Sequence, residues 1–377
     1  MVLLAALLLA TAGCESRRSP VEETSRDRPE EPEIEPRLSF DDATLEQVND
    51  AGQLVWEVKA KRATYSGDRK IATVENPEAK LYENGEVVFQ VRAKRGEVHQ
   101  NGEKIVLQDS IVAVDARNDL ALRGEQLEWF PEQNLLVVRE NVSGSHERAD
   151  LVTDEAQVAS DEQRVELVGN VVMNAKDPTL RIASERAVWE MEAQTVTTDK
   201  PLQVDRLNED EEVEDRATAN SGQVDLEPQI VTLRQNAQLT LDDPTVQVAS
   251  NEIVWDLQGQ LVSSDMPLNV LHREENTTIS GNQGWINLAR EIFHVSDGVR
   301  VVSEGAEMTS DRLTWYIDTQ EFEAEGNVIY AQADPPLRLT GPRAEGQLQE
   351  QKFVISGGQV VTEIVPQGAE NFSVFPP

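Results

Sequence analysis

The chain has a single cysteine, Cys14, in 377 residues, which excludes a disulfide framework. Positive charge is scarce. Lys and Arg number 34 against 69 Asp and Glu, a formal net charge of −35. Such a balance argues against nucleic acid, whose phosphates are bound by basic side chains, and against adsorption to an anionic membrane surface. The four histidines, His99, His146, His272 and His294, share no register. There is no phosphate-binding glycine loop, no G-x-S-x-G, no H-E-x-x-H and no Cys/His metal spacing. The expectation is a protein that is not an enzyme, with no metal and no cofactor. Helical periodicity is nearly absent as well.

What is present is repetition. Units such as Leu122–Gly144 and Met308–Tyr330 share one grammar: a small residue, an aromatic or aliphatic anchor five positions later, a turn, and two short apolar runs. The anchors fall at Tyr65, Val98, Trp129, Val158, Trp189, Val224, Trp255, Ile286, Trp315 and Leu348, about 31 residues apart. A near-constant period of this length means stacked units. Every other anchor is aromatic, which suggests a super-repeat of two units with successive strand pairs on opposite walls.

Within each unit the local period is two. Leu54, Trp56, Val58 and Ala60 share one face, with Glu57, Lys59 and Lys61 on the other. Val87, Phe89, Val91 and Ala93 likewise oppose Val88, Gln90, Arg92 and Lys94. Turn formers separate the runs: Asn84-Gly85, Gly169-Asn170, Asp177-Pro178, Asp243-Pro244, Asp297-Gly298 and Gly326-Asn327. Those with Gly or Asn are expected to supply the positive φ of tight hairpins. The fold class is therefore all-β: an elongated twisted antiparallel structure of about ten repeats, each of two to three strands. Units near 31 residues are too short for propeller blades, and the strands lack the aromatic girdles of a membrane barrel. The acidic run Asn208–Asp215 reads as a solvated loop that lengthens one repeat.

Residues 1–13 form an apolar stretch too short to span a bilayer, and it reads as the core of an export signal. Thr11-Ala12-Gly13-Cys14 resembles a lipoprotein cleavage box that would make Cys14 the lipidated N-terminus; an uncleaved N-terminal anchor is the other reading. Residues 15–37 are polar and Pro/Glu-rich, the composition of a disordered linker.

A β surface with a continuous apolar interior suits an acyl chain, since each buried CH₂ contributes about 0.8 kcal/mol. It suits an ordinary dry core equally well, because the two look identical in sequence. The motifs Ala60-Lys-Arg-Ala-Thr-Tyr65, Val165-Glu-Leu-Val-Gly-Asn-Val171 and Phe322-Glu-Ala-Glu-Gly-Asn-Val328 favour the former. With the opening Leu38–Leu45 and Leu54–Val58, they resemble LptC, the periplasmic component of lipopolysaccharide transport, with OstA/LptA-type repeats. The length resembles the cyanobacterial-type long form of that family.

The resemblance implies a β-jellyroll anchored on the periplasmic side of the inner membrane. It would receive lipopolysaccharide from an inner-membrane ABC transporter and pass it edge to edge to other jellyrolls of the OstA/LptA type. The implied organisation is an anchor at 1–14, a linker at 15–37, an LptC-like jellyroll at 38–206, an OstA/LptA-like continuation at 207–366 and a tail at 367–377. The inward, lipid-lining face is expected to include Leu54, Trp56, Val58, Phe89, Val91, Val171, Val246, Val248, Val328 and Tyr330. A non-catalytic structural or adhesive envelope protein with a dry core is the competing expectation.

Overall fold

The computed structural model describes residues 38–99, 102–347 and 352–364. Cys14, the segments 1–14 and 15–37, the anchor Leu348 and the tail 367–377 lie outside the described residues. From Ser39 to Ile364 the described residues form one antiparallel sheet of 28 strands in which each strand pairs with others one to three places away in sequence. The only helical element among the described residues is a single turn at Pro131–Gln133. Valine, isoleucine and threonine alternating with charged residues dictate this, because branched side chains fit a pleated, half-buried surface.

The strands are bent in the middle. In Arg164–Lys176 the pairing register breaks between Val168 and Val171, where Gly169 and Asn170 both take positive φ. The same break occurs at Asp297-Gly298 within Ile292–Ser303 and at Gly326-Asn327 within Glu321–Gln332. These pairs are thus corners inside continuous strands, not the hairpin turns expected from composition. Two successive left-handed residues turn the ladder without ending it, which is the action of a bulge. The corner carboxylates reinforce them: Asn170 donates to Asp154 at 2.8 Å and Asn327 to Asp311 at 2.9 Å. Other strands break fully at the corner, as Thr195–Thr198 and Leu202–Leu207 do around Pro201. A proline lacks the N–H that the ladder would need there.

Each bent strand therefore contributes one arm to each of two walls. On one wall, directly paired residues form an unbroken row from Leu45 through Val58, Ala79 and Val91 to Met308, Tyr330 and Leu339. On the other, a row runs from Tyr65 and Ala72 through Trp129, Trp189 and Trp255 to Trp315 and Phe322. All the described repeat anchors stand in this second row. The expectation that successive strand pairs alternate between walls is thus corrected: each strand, bent or broken at its corner, supplies an arm to both walls, and the anchors mark only one. One 31-residue unit is a pair of bent strands, and the aromatic anchor returns every fourth strand.

Two further readings change. In Glu86–Arg92 a register shift brings Val88 inward at 1 % exposure, while Val87 is half-buried, so strict alternation fails there. In the acidic run only the tip around Asn208–Glu212 is a turn, closed by the Asn208 side chain accepting from the Asp210 and Glu212 amides. Val213 already starts the next strand, and Asp215 is buried, accepting from Arg206 Nε at 2.6 Å. Burial pushes the Asp215 carboxyl above its usual range, against the pull of Arg206.

Candidate functional site: the interior between the walls

Rings from the two walls meet directly. Phe89 on the first wall lies edge-on to Trp129 on the second, with centroids 5.9 Å apart. His146 meets Trp189 at 5.1 Å and His272 meets Trp315 at 4.9 Å, also edge-to-face. The interior is thus a thin apolar slab, of the roughly 10 Å thickness typical of stacked sheets. The four tryptophans of the second row are buried at 0–1 % exposure. Successive ones stand four strands apart, about 19 Å at the usual strand spacing.

Of the ten residues expected to face inward, Trp56, Val58, Phe89, Val91, Val171, Val246, Val248 and Val328 are buried, and Leu54 and Tyr330 are half-buried. All ten lie on the first wall. Val58, Val91, Val248 and Tyr330 belong to its central row, whereas Val171 and Val328 sit beside the corners. The opposing wall was overlooked as a lining: Ile105, Trp129, Val165, Trp189, Trp255, Phe293 and Trp315 are equally buried. Its signal was the repeat anchors, which were read as markers of period only.

Most charge stays outside, with Asp115, Asp205 and Asp215 buried near the arm ends. On the outer face Lys104, Glu128, Arg139 and Glu155 form a continuous chain, with contacts of 2.7, 2.6 and 2.6 Å. The hydrogen bond from Lys104 holds Glu128 below the usual carboxylate range. The free ends of the arms form two polar lips. Arg117, on the first wall's lip, donates to the Ser160 carbonyl of the opposite lip at 2.6 Å and to Glu83 at 3.3 Å. Ser160 Oγ in turn donates to Glu83 at 3.1 Å. Further along, Gln229 donates across the lips to Asp177 at 2.9 Å. Towards the C-terminal end a cavity of about 130 Å³ stands between lip and wall instead. Val301, Met308, Phe322 and Tyr330 supply its apolar side, with Ser303, Gln332 and Gln347 at its rim.

Both walls end in unpaired strand edges among the described residues. Ser39–Val48 pairs only with Leu54–Tyr65. Lys352–Ser356 and Val361–Ile364 pair only with Leu337–Gln347. Exposed apolar side chains cluster at both edges: Leu38, Phe40 and Val48 at one, Val354, Val360 and Val361 at the other.

A two-walled antiparallel β-jellyroll with an apolar interior and open strand edges, as the described residues form it, defines the class of protein. Residues 1–149 match the family model described as lipopolysaccharide-assembly, LptC-related. Over that part, less than half of its length, the chain is similar to LptC-related proteins of lipopolysaccharide assembly. No curated protein matches it. Among the described residues, no helix is long and apolar enough to cross a membrane.

Proposed function

We propose that the chain is a membrane-anchored, periplasmic component of the lipopolysaccharide bridge. It takes the acyl chains of lipopolysaccharide from the inner-membrane ABC transporter between its two walls and passes them along the rows towards the outer membrane. The observation that carries this reading is the pair of unbroken apolar rows, which gives hydrocarbon equivalent surroundings at every strand from Val58 to Tyr330. No step requires a catalytic group. The sugar and phosphate portion would travel outside the lips, where polar side chains and water can solvate it.

The unpaired edges fit the same task. An exposed strand with free N–H and C=O groups accepts another strand edge to edge. Joining a second OstA/LptA-type jellyroll at Lys352–Ser356 or Ser39–Val48 would cover the exposed apolar residues and prolong both rows. Cys14 as a lipidated N-terminus, with 15–37 as the linker, would hold 38–206 near the transporter and extend 207–366 away from it. Strand pairing continues through that junction, with Arg206 opposite Asp215 and Leu207 opposite Val213.

One observation favours the competing reading of a structural protein with a dry core. The interior is closely packed, with Trp129 and Trp315 at 0 % exposure. Conduction therefore requires the walls to part at the lips. The readings separate when the full chain is isolated from the envelope of a lipopolysaccharide-producing cell and its bound lipid is quantified by mass spectrometry. Lipopolysaccharide near one molecule per chain supports the conduit; folded, lipid-free protein supports the scaffold.

A further inference from the structure

His146 and His272 share a register that their sequence positions did not reveal, each meeting a tryptophan 43 residues later, Trp189 and Trp315. Their polar atoms differ in one respect. His146 Nδ1 accepts from the Arg148 backbone amide at 3.2 Å, and the ring is also hydrogen-bonded to the Asn118 backbone. The indole N–H groups of Trp129, Trp189 and Trp315 are all buried without a hydrogen-bond partner, but of the two histidines only His272 has a buried Nδ1 that also lacks one. His272 and Trp315 are 4 % and 0 % exposed. An unmade hydrogen bond at such a site is costly, so the pair is suited to a group that supplies the missing partners.

The surroundings show where that group would enter. Trp315 pairs directly with Phe322, which lines the C-terminal cavity. His272 pairs with Thr277, and the next residue, Thr278, pairs with Val302, which adjoins Ser303 at the cavity rim. Both residues thus stand within one or two strands of residues that line this cavity.

We infer that His272 and Trp315 form a polar subsite for the linkage group of an acylated amphiphile, an amide or hydroxyacyl head, admitted through the Met308–Phe322 cavity. This rests on the acyl-conduit reading above. Trp315 Nε1–H, which can only donate, binds the linkage carbonyl or hydroxyl oxygen. His272 Nδ1, in the tautomer protonated at Nε2, accepts from the linkage N–H or O–H. Neither contact is available to a plain hydrocarbon chain, so the subsite selects the head of the acyl chain and leaves its length to the apolar rows. The Trp189 station, whose histidine is already satisfied, lacks this selectivity and serves as the internal control.

The test is equilibrium dialysis of the full chain with two probes below their micelle-forming concentrations, N-dodecanoyl-glucosamine and dodecyl glucoside. They share a twelve-carbon chain and a glucose-type head and differ in an amide at C2 against a glycosidic linkage at C1. The wild-type chain is expected to prefer the amide by about five-fold, the worth of one net hydrogen bond. Trp315→Phe, which keeps the ring and loses only the N–H, should abolish the preference without changing the affinity for dodecyl glucoside. Trp189→Phe should retain it, and circular dichroism confirms that each variant is folded. A preference that survives in both Trp315→Phe and His272→Phe overturns the subsite. So does wild-type binding of both probes without preference, although the conduit would then stand. Failure of the wild-type chain to bind either probe overturns the conduit reading itself.

Discussion

The stretch from Glu83 to Gln229 and the stretch from Ser303 to Gln347 are built from the same bent strands, yet their lips differ. In the first, Arg117, Glu83 and Ser160, and then Gln229 and Asp177, tie one lip to the other. In the second, a cavity opens between Met308 and Phe322. The ladder is common to both, so closure is not a property of the fold. It is set by a few side chains at the arm ends, which is where a conduit can be regulated without disturbing its walls.

The largest expected effect asks how far the wall itself differs between the two stretches. Trp189→Ala removes a fully buried ring in the closed stretch and should cost about 3–5 kcal/mol. Trp315→Ala lies beside the cavity, where the site can collapse, and should cost measurably less in the same chemical denaturation series. Equal losses would mean that the open stretch is packed as firmly as the closed one.

Arg117→Ala weakens the tie between the lips. It leaves the Ser160 carbonyl without the Arg117 donor and the half-buried Glu83 carboxylate with only the Ser160 hydroxyl, and should cost about 1–3 kcal/mol. Amide exchange should rise around Glu83 and Ser160 together, because a single hydrogen bond then joins them. By contrast, Arg300→Ala at the open mouth breaks only the exposed pair with Glu307 and should leave the denaturation midpoint unmoved.

Two glycines of the second wall, Gly222 inside the closed stretch and Gly284 on the approach to the open one, should agree. A Cβ on Gly222 would stand 2.8 Å from the Thr232 carbonyl oxygen, and one on Gly284 would stand 2.8 Å from that of His294. Both substitutions to alanine push backbone against backbone, so each should destabilise by about 1–2 kcal/mol. A marked inequality would show that the walls, and not only the lips, differ.

The smallest effect is a pH dependence. Burial holds both His146 and His272 below the usual imidazole range. The unfolded chain then binds the proton more readily than the folded one. Stability is full above the unfolded value of about 6.5 and falls as pH drops below it. His146→Phe and His272→Phe should each flatten that fall in thermal melts between pH 7 and 5.

Much of this architecture was legible in the residues. Alternation in Leu54–Ala60 and Val246–Val248 placed those side chains inward, because a period of two leaves little choice once one face is charged. The corners were not legible. Gly169-Asn170 and Gly326-Asn327 announce positive φ, but a hairpin and a mid-strand bend make the same demand on the backbone. Only the pairing of Val171 with Ser184 and of Val168 with Arg186 shows that the strand continues. The second wall was hidden for a related reason. Tryptophans about 60 residues apart carry no local pattern, and their alignment in one row emerges only when the ladder is closed. The lip contacts of Arg117 depend on a side chain reaching 43 residues along the chain, which no spacing rule encodes.

The central claim is that acyl chains travel between the walls. In-cell photocrosslinking tests it most directly, with the probe placed in turn at Val58 and Val91 on the first wall and at Ile105 and Val165 on the second. Lys59 and Arg92, which are exposed, serve as outward controls. The account predicts lipopolysaccharide adducts at all four inward positions and at neither control. Exported, folded protein that captures no lipopolysaccharide at any inward position would contradict it and leave a dry scaffold as the better description.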